Sequence, residues 1–342
     1  MVSGEDEKVG EAVEGTVTRG INNIYTVIDS DGTAYLCRIK GKQLVQAAGE
    51  YNPIVAGDRV LFQPVEGSGE ALILERLERT SFFARWNEKG QRNQIVAANM
   101  DIVVCVSSVA SPPFRPRFID RVIACSRNVE TVIILNKCDI AQKDAEAERF
   151  ALFSELGYRT IRVSAAQGEG LDEVRGICHG KTVAFIGQSG VGKSTLINAL
   201  LDGTVVQRTG GISRKFDRGR HTTNYATMLF GKDFTLIDTP GVREISVPHD
   251  DPHAIEASFP EFASYRVRCQ FEGCLHDEEP GCAVRDAADA GLIHEDRYES
   301  YLRMLASLEE RAPSWAVRPR AQRNRYADDT WDKEEWDAHE DA

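Results

Sequence analysis

Gly187-Gln188-Ser189-Gly190-Val191-Gly192-Lys193-Ser194, followed by Thr195, decides the fold of this 342-residue chain. The stretch fits GxxxxGK[ST], comes directly after the apolar run 182–186, and opens a segment of helical composition. That is the strand–loop–helix setting of a phosphate-binding loop. Its glycines let backbone N–H groups point inward at a β-phosphate, aided by the helix N-terminus. Lys193 is expected to reach the β- and γ-phosphates and the Ser194 hydroxyl to ligate Mg²⁺.

Outward from this loop the chain alternates apolar strand, turn and helix. Strands are expected at 101–106, 131–135, 160–163, 182–186 and 234–237, with helices at 117–127, 144–156 and 194–201. The alternation indicates an α/β domain with a mainly parallel sheet. Before it, short β-rich runs at 13–18, 24–29, 33–38, 59–64 and 71–75 are separated by turn signals such as Asp31-Gly32 and Gly57-Asp58. Five such strands suggest a small barrel of the oligonucleotide-binding (OB) type. After 248 the chain turns helical and polar, and Tyr298, Tyr301, Leu302, Leu305 and Leu308 form an apolar stripe over 296–311. The division expected is a disordered acidic segment 1–12, an OB-like barrel 13–78, an α/β domain 79–247 carrying the phosphate loop, a helical domain 248–312, and a tail 313–342, Arg-rich then acidic and partly disordered.

A phosphate loop names a nucleotide but not its base. Asn136-Lys137-Cys138-Asp139 supplies the base: it ends a predicted strand, where open α/β sheets bind ligands. A carboxylate at Asp139 accepts from both N1–H and the 2-amino group of guanine, whereas adenine leaves that buried carboxylate unpaired. Asn136 is expected to brace the loops and the Lys137 stem to cover the ring. Asp238-Thr239-Pro240-Gly241 follows another strand, Asp238 suiting a direct or indirect Mg²⁺ role and the Gly241 N–H a γ-phosphate. Ser164-Ala165 fits the loop supporting the guanine carbonyl. Thr222 and Thr223 are both candidates for a switch threonine on Mg²⁺. The residue after DTPG is Val242 rather than glutamine, which leaves His221 as the candidate for positioning water and predicts slow intrinsic hydrolysis. Guanine and accessory boxes thus precede the phosphate loop, so the order is circularly permuted.

Composition limits the class. Hydrophobic residues make up 42% and charged residues 27%, the balance of a soluble globular protein. No apolar run reaches the ~18–20 residues of a membrane span, and the acidic start is unlike a signal peptide; a cytoplasmic location is expected. The net charge of -12 argues against nucleic acid, but basic clusters occur at Arg76–Arg92, Arg208–Arg220 and Arg318–Arg325. Of eight cysteines, Cys37, Cys105, Cys125, Cys138 and Cys178 are scattered and read as buried thiols. Cys269, Cys274, His276 and Cys282 offer three thiolates and one imidazole, a closed set for one structural zinc ion.

The permuted boxes, the preceding barrel and the C-x4-C-x-H-x5-C cluster together resemble the RsgA (YjeQ) family of small ribosomal subunit biogenesis GTPases, over about residues 13–311. Gly219-Arg220-His221-Thr222-Thr223 and Ser111-Pro112-Pro113-Phe114, leading to Ile119-Asp120-Arg121, match as well. The resemblance implies an OB-fold, a GTPase centre, a zinc domain, and late action on the 30S subunit and its 16S rRNA, with hydrolysis stimulated by that subunit. It also implies release of an assembly factor or of the protein itself. A monomeric protein is expected. The acidic first dozen residues and the tail after 312 have no counterpart in it. The alternative is a nucleotide-gated protein-binding switch in which hydrolysis is incidental.

Overall fold

The computed structural model describes residues 10–39, 51–65, 67, 69–201, 225–242, 244–248 and 251–311. His221, Thr222, Thr223, His249, the cluster from Arg208 to Arg220, the tail 313–342 and residues 1–9 lie outside them. The chain divides into two compact units between Pro248 and His249.

The first unit begins with β1 (Val13–Ile21), β2 (Ile24–Asp29), β3 (Ala34–Ile39), β4 (Arg59–Pro64) and β5 (Glu70–Arg76). They pair in the order β1-β2-β3-β5-β4, and β4 returns to β1, closing a five-stranded barrel in which β3 and β5 run parallel. Closure removes the sheet edges, as in OB-folds. Alternation supplies the core: Val17, Val27, Cys37, Val60, Phe62 and Ile73 face inward and are fully buried. A polar clasp holds the base of β4. Asp58 accepts from Val55 N–H at 2.8 Å and from the Arg79 guanidinium at 2.7 and 2.8 Å. Gly57 beside it has φ +91°, and a Cβ there would lie 1.9 Å from the Ala98 carbonyl oxygen, so only glycine fits.

Strands β6 (Phe82–Asn87) and β7 (Arg92–Ala98) follow as a hairpin, joined by β9 (Ser126–Arg127) into a small second sheet. Next come β8 (Ile102–Ser108), α1 (Pro116–Cys125), β10 (Glu130–Asn136), α2 (Asp144–Glu155), β11 (Arg159–Arg162), α3 (Leu171–Cys178), β12 (Thr182–Gly187), α4 (Lys193–Leu201), β13 (Thr227–Phe230) and β14 (Thr235–Asp238). The sheet order is β11-β10-β8-β12-β14-β13, parallel except for β13. Central β8 is buried at every residue, the pattern of a parallel strand covered on both faces. β13 also pairs with β1 at Arg19↔Thr227, so barrel and GTPase strands form one 11-stranded sheet.

Two details differ from the sequence expectations. The helix expected to reach residue 127 stops at Cys125, because Ser126 and Arg127 pair with Phe83 and Phe82. Cys37, Cys105, Cys125 and Cys178 are buried, but Cys138 is only half-buried.

The second unit contains α5 (Pro252–Glu256), a 3₁₀ turn (Pro260–Phe262), α6 (Ala263–Arg266), α7 (Ala283–Asp289) and α8 (Glu295–Arg311). Tyr301, Met304, Leu305 and Leu308 of α8 are buried, with Tyr301 edge-on to Phe259 and Phe262. Arg297, fully buried, donates to Glu261 at 2.7 and 3.0 Å and lies over the Phe259 ring. No helix among the described residues is long and apolar enough to cross a membrane.

Candidate active site and metal centre

The registers bring the predicted loops to one edge. Asn136 lies opposite Ser108, Gly187 opposite Val106 and Asp238 opposite Phe185, all at C-terminal strand ends. The phosphate loop leaves β12 at Gly187, and Gln188 bridges Val242, whose N–H donates to Gly187 at 3.3 Å. Gly190 and Gly192 have φ +84° and +87°. Gly192 carries a second constraint, since a Cβ there would sit 2.3 Å from Asn136 Nδ2. Ser189, Ser194 and Thr195 are exposed at the loop and the start of α4, while Lys193 is buried. Its ammonium contacts the Asp238 carboxylate and the Thr239 carbonyl. The Thr239 hydroxyl in turn donates to Phe185 at 2.7 Å. Gly241 packs against Ser189; a Cβ there would come within 3.3 Å of the Ser189 Cα.

Asn136 ties three loops together. It is buried, its Nδ2 donates to the Val191 carbonyl at 2.9 Å, and its Oδ1 accepts from Ala165 N–H at 3.0 Å. Next to it Lys137 takes a left-handed φ of +62° and donates to the Ala110 and Ser111 carbonyls. Burial lowers its pKa, opposed by nearby Asp139. The Ser164 hydroxyl donates to Asp139 Oδ1 at 2.5 Å. Asp139 itself is exposed rather than buried as expected, because it lies on the loop beyond the end of β10.

One wall escaped the motif reading. The loop after β8 brings Pro112 beside the phosphate loop, where a Cβ on Gly190 would meet its ring at 3.4 Å, and the Pro112 carbonyl accepts from Ser108 Oγ at 2.8 Å. The matched stretch at Ser111–Phe114 was its only sequence signal. Val242 is the residue after DTPG, and it brings no polar side chain to the site.

In the second unit Cys269, Cys274, His276 and Cys282 place their ligand atoms within 4.8 Å of one another, a set that could hold a metal ion. His276 Nδ1 lies 3.6 Å from Cys269 Sγ and 3.5 Å from Cys282 Sγ. Burial pushes the Cys274 thiol up to about 12 and raises Cys282 as well, so thiolates here require a compensating cation. The opposite ring nitrogen, Nε2, faces Glu256 Oε1 at 3.5 Å. Glu256 comes from α5, outside the cysteine cluster, and the sequence reading missed it. Burial raises its pKa, but the nearby His276 and His253 rings and the charge of Arg266 outweigh that and leave it lowered. His253, 3.2 Å from Glu256 Oε2, therefore packs rather than ligates. The Cys282 sulfur also caps α7, accepting from Arg285 N–H at 3.4 Å.

A family model described as RsgA GTPase matches residues 76–248. The chain belongs to the RsgA GTPase family. Among RsgA relatives, the small ribosomal subunit biogenesis GTPase RsgA of Borrelia garinii subsp. bavariensis is 37% identical over 86% of this chain and 96% of its own length. The crystal structure of YjeQ from Thermotoga maritima is 29% identical with a TM-score of 0.63, covering 87% of this chain and 99% of its own. The structure of YloQ, a circularly permuted GTPase, shares the fold at 22% identity and a TM-score of 0.62, over 89% and 97% of the two chains. Sheet order and motif order agree with permutation: β10, carrying Asn136, precedes β12 in the chain and lies two strands from it.

Proposed function

We propose that this chain hydrolyses GTP while bound to the small ribosomal subunit, assists its late maturation, and is stimulated by it. The observation that carries the guanine-nucleotide reading is Asn136, whose one amide joins the phosphate loop at Val191 to the Ser164-Ala165 loop. A nucleotide laid across that brace meets backbone N–H groups of 187–192 and Lys193 at its phosphates, and Asp139 at its base. Incoming phosphate oxygens would compete with Asp238 for Lys193.

Mg²⁺ accompanying GTP supplies positive charge at the β- and γ-phosphate oxygens. Ser194 and Asp238, with Thr222 or Thr223, are the residues that would hold it. Their hydroxyl and carboxylate oxygens suit a hard cation. His221 keeps the role of water positioning in this proposal, and Gly241 that of donor to the γ-phosphate.

The second unit would hold one structural zinc ion. A tetrahedron with Zn–S of about 2.3 Å and Zn–N of about 2.0–2.1 Å has S···N edges of about 3.5 Å. The sulfur–nitrogen separations of 3.5 and 3.6 Å support that reading, and the four ligands leave no position open for catalysis.

The relatives' names support a small ribosomal subunit partner; the proposal extends it to the 30S subunit and its 16S rRNA, met by a locally basic face of an acidic chain. The barrel and the zinc-binding unit are the proposed RNA contacts, within a cytoplasmic monomer that also meets other 30S assembly factors. Val242 favours one second reading, a protein-docking switch with incidental hydrolysis. Steady-state GTP and ATP hydrolysis with and without purified 30S subunits separates the two, with Lys193→Ala as control. GTP-specific stimulation by orders of magnitude, lost in the variant, is expected; a slow rate unmoved by 30S would leave the docking switch.

A further inference from the structure

A cavity of about 190 Å³ lies within the first unit, where the barrel, the β6–β7 hairpin and the chain around DTPG meet. Its walls include Ile54, Phe83, Ile95 and Ile186, all buried. Tyr51 and Tyr225 line it with half-exposed rings, 45% and 42% accessible. Thr239, Pro240 and Val242 complete it on the side of the nucleotide loops.

Among the described residues Arg85 is the only cation lining this cavity. Its Nε donates to Gln94 Oε1 at 3.3 Å, and that oxygen also accepts from Asn87 at 3.1 Å. Among the described residues no carboxylate pairs with Arg85. Burial lowers its pKa, and the opposing influence comes from the Cys125 thiol. A guanidinium has five donors in a planar fork that suits phosphate; most of that capacity is unused here.

We infer that this cavity receives one unpaired nucleotide of single-stranded RNA, its base between the tyrosines and its phosphate on Arg85. The inference rests on the RNA partner proposed above and names where that RNA reaches the switch. Each part of the cavity suits a part of the nucleotide. Aromatic rings stack with bases irrespective of sequence. The Asn52 and Gln94 amides can read a base edge. The volume falls below the ~300–1,000 Å³ of a drug-sized pocket, so a single ring system enters and a dinucleotide does not. The occupant touches Thr239, Pro240 and Val242 directly, and Val242 is bonded to Gly187 of the phosphate loop. Trp86 N–H, on the same hairpin as Arg85, donates to Ser246 at 2.9 Å beyond DTPG. RNA in the cavity and nucleotide in the site therefore bear on one loop, and each alters the affinity of the other by the same factor.

The test measures fluorescence anisotropy of labelled hexaadenylate and of a fully abasic chain of equal length, on the full-length protein with a non-hydrolysable GTP analogue. Arg85→Ala is expected to weaken hexaadenylate binding at least 10-fold and to reduce the salt slope by about 0.7, one phosphate contact on a single strand. Tyr225→Ala, at a half-exposed position that leaves the core intact, is expected to weaken it by about 10-fold, within the range of lost base stacking. The abasic chain should bind more weakly to wild type and be indifferent to Tyr225→Ala. Basal GTP hydrolysis should stay at the wild-type rate in both variants. Equal binding of hexaadenylate by wild type and both variants overturns the inference, as does equal binding of the abasic chain by wild type. Adenosine monophosphate competing as well as hexaadenylate overturns it too, in favour of a free small-molecule site. If the inference fails while 30S subunits still stimulate wild-type hydrolysis, the proposed function stands. If 30S fails to stimulate but Arg85-dependent RNA binding persists, the ribosomal reading falls and the cavity remains an RNA site.

Discussion

Replacing Asn136 by alanine removes a side chain bonded to both the phosphate loop and the Ser164-Ala165 loop. Both groups it serves are on buried residues, Val191 and Ala165. A buried polar group left without a partner costs about 1–3 kcal/mol. The Ala165 N–H has no second way to bond, whereas the Val191 carbonyl keeps a lone pair that water entering the truncation can use. The sum is then about 2–4 kcal/mol. The bonds are already present in the protein alone, so the loss divides between stability and nucleotide affinity. The affinity share reflects how far the braced loops become a minor population. If all of it appeared in binding, affinity would fall about 30- to 700-fold. If all appeared in stability, melting would fall by about 2–4 °C per kcal/mol for a unit of this size. Titration with fluorescent GDP and a thermal melt on the same samples measure both shares. Asn136→Asp is the informative companion. It keeps an acceptor for Ala165 but sets an oxygen against the Val191 carbonyl at the present 2.9 Å, so it should bind nucleotide more weakly than Asn136→Ala. Alanine and wild-type proteins agreeing within twofold in affinity and 1 °C in melting would refute the bracing argument.

Four further outcomes are expected. Arg79→Ala strands Asp58, which is fully buried and paired at 2.7 Å, and should cost about 3–5 kcal/mol; a melting point within 2 °C of wild type would contradict this. Glu256→Ala should weaken zinc retention about 10- to 100-fold against a chromogenic chelator, the range for a lost carboxylate behind a metal-bound histidine, with Glu256→Gln intermediate. Asp139→Ala should narrow the preference for GTP over ATP by at least about 10-fold, measured by competition; an unchanged ratio would move base recognition elsewhere. Removing zinc with a strong chelator should melt the second unit first, because the Cys274 and Cys282 thiols regain protons in a core built around the metal, and circular dichroism would register the loss of α8.

The barrel and the parallel sheet were legible because each announces itself locally. Alternation in 13–75 marks strands with one wet face, and unbroken apolar runs such as 102–106 mark strands with none. The hairpin at Phe82–Asn87 and Arg92–Ala98 was not, since Arg85, Lys89 and Arg92 interrupt both patterns and its support comes from Ser126 and Arg127, distant in the chain. The four-residue strand Thr227–Phe230 is too short for any period to show. Contiguous boxes stand out in sequence for the same reason that isolated residues do not. Glu256 and Arg297 are ordinary charged residues in sequence, and only packing makes the first a partner of His276 and the second a buried cation on Phe259.

Permutation also sets a timetable for synthesis. As residues emerge, the strand carrying Asn136 can pair with its neighbours β8 and β11 while the phosphate loop is still unmade. The roughly 60 residues from Asn136 to Ser194 take about 3–12 s to translate. During that interval the Asn136–Asp139 segment exists without the loop of 187–194. The barrel waits as well, since its seam with the GTPase strands closes only when Thr227 arrives to meet Arg19. Nucleotide capture can therefore come only after most of the first unit has left the ribosome, which ties the birth of binding activity to the near-completion of the chain.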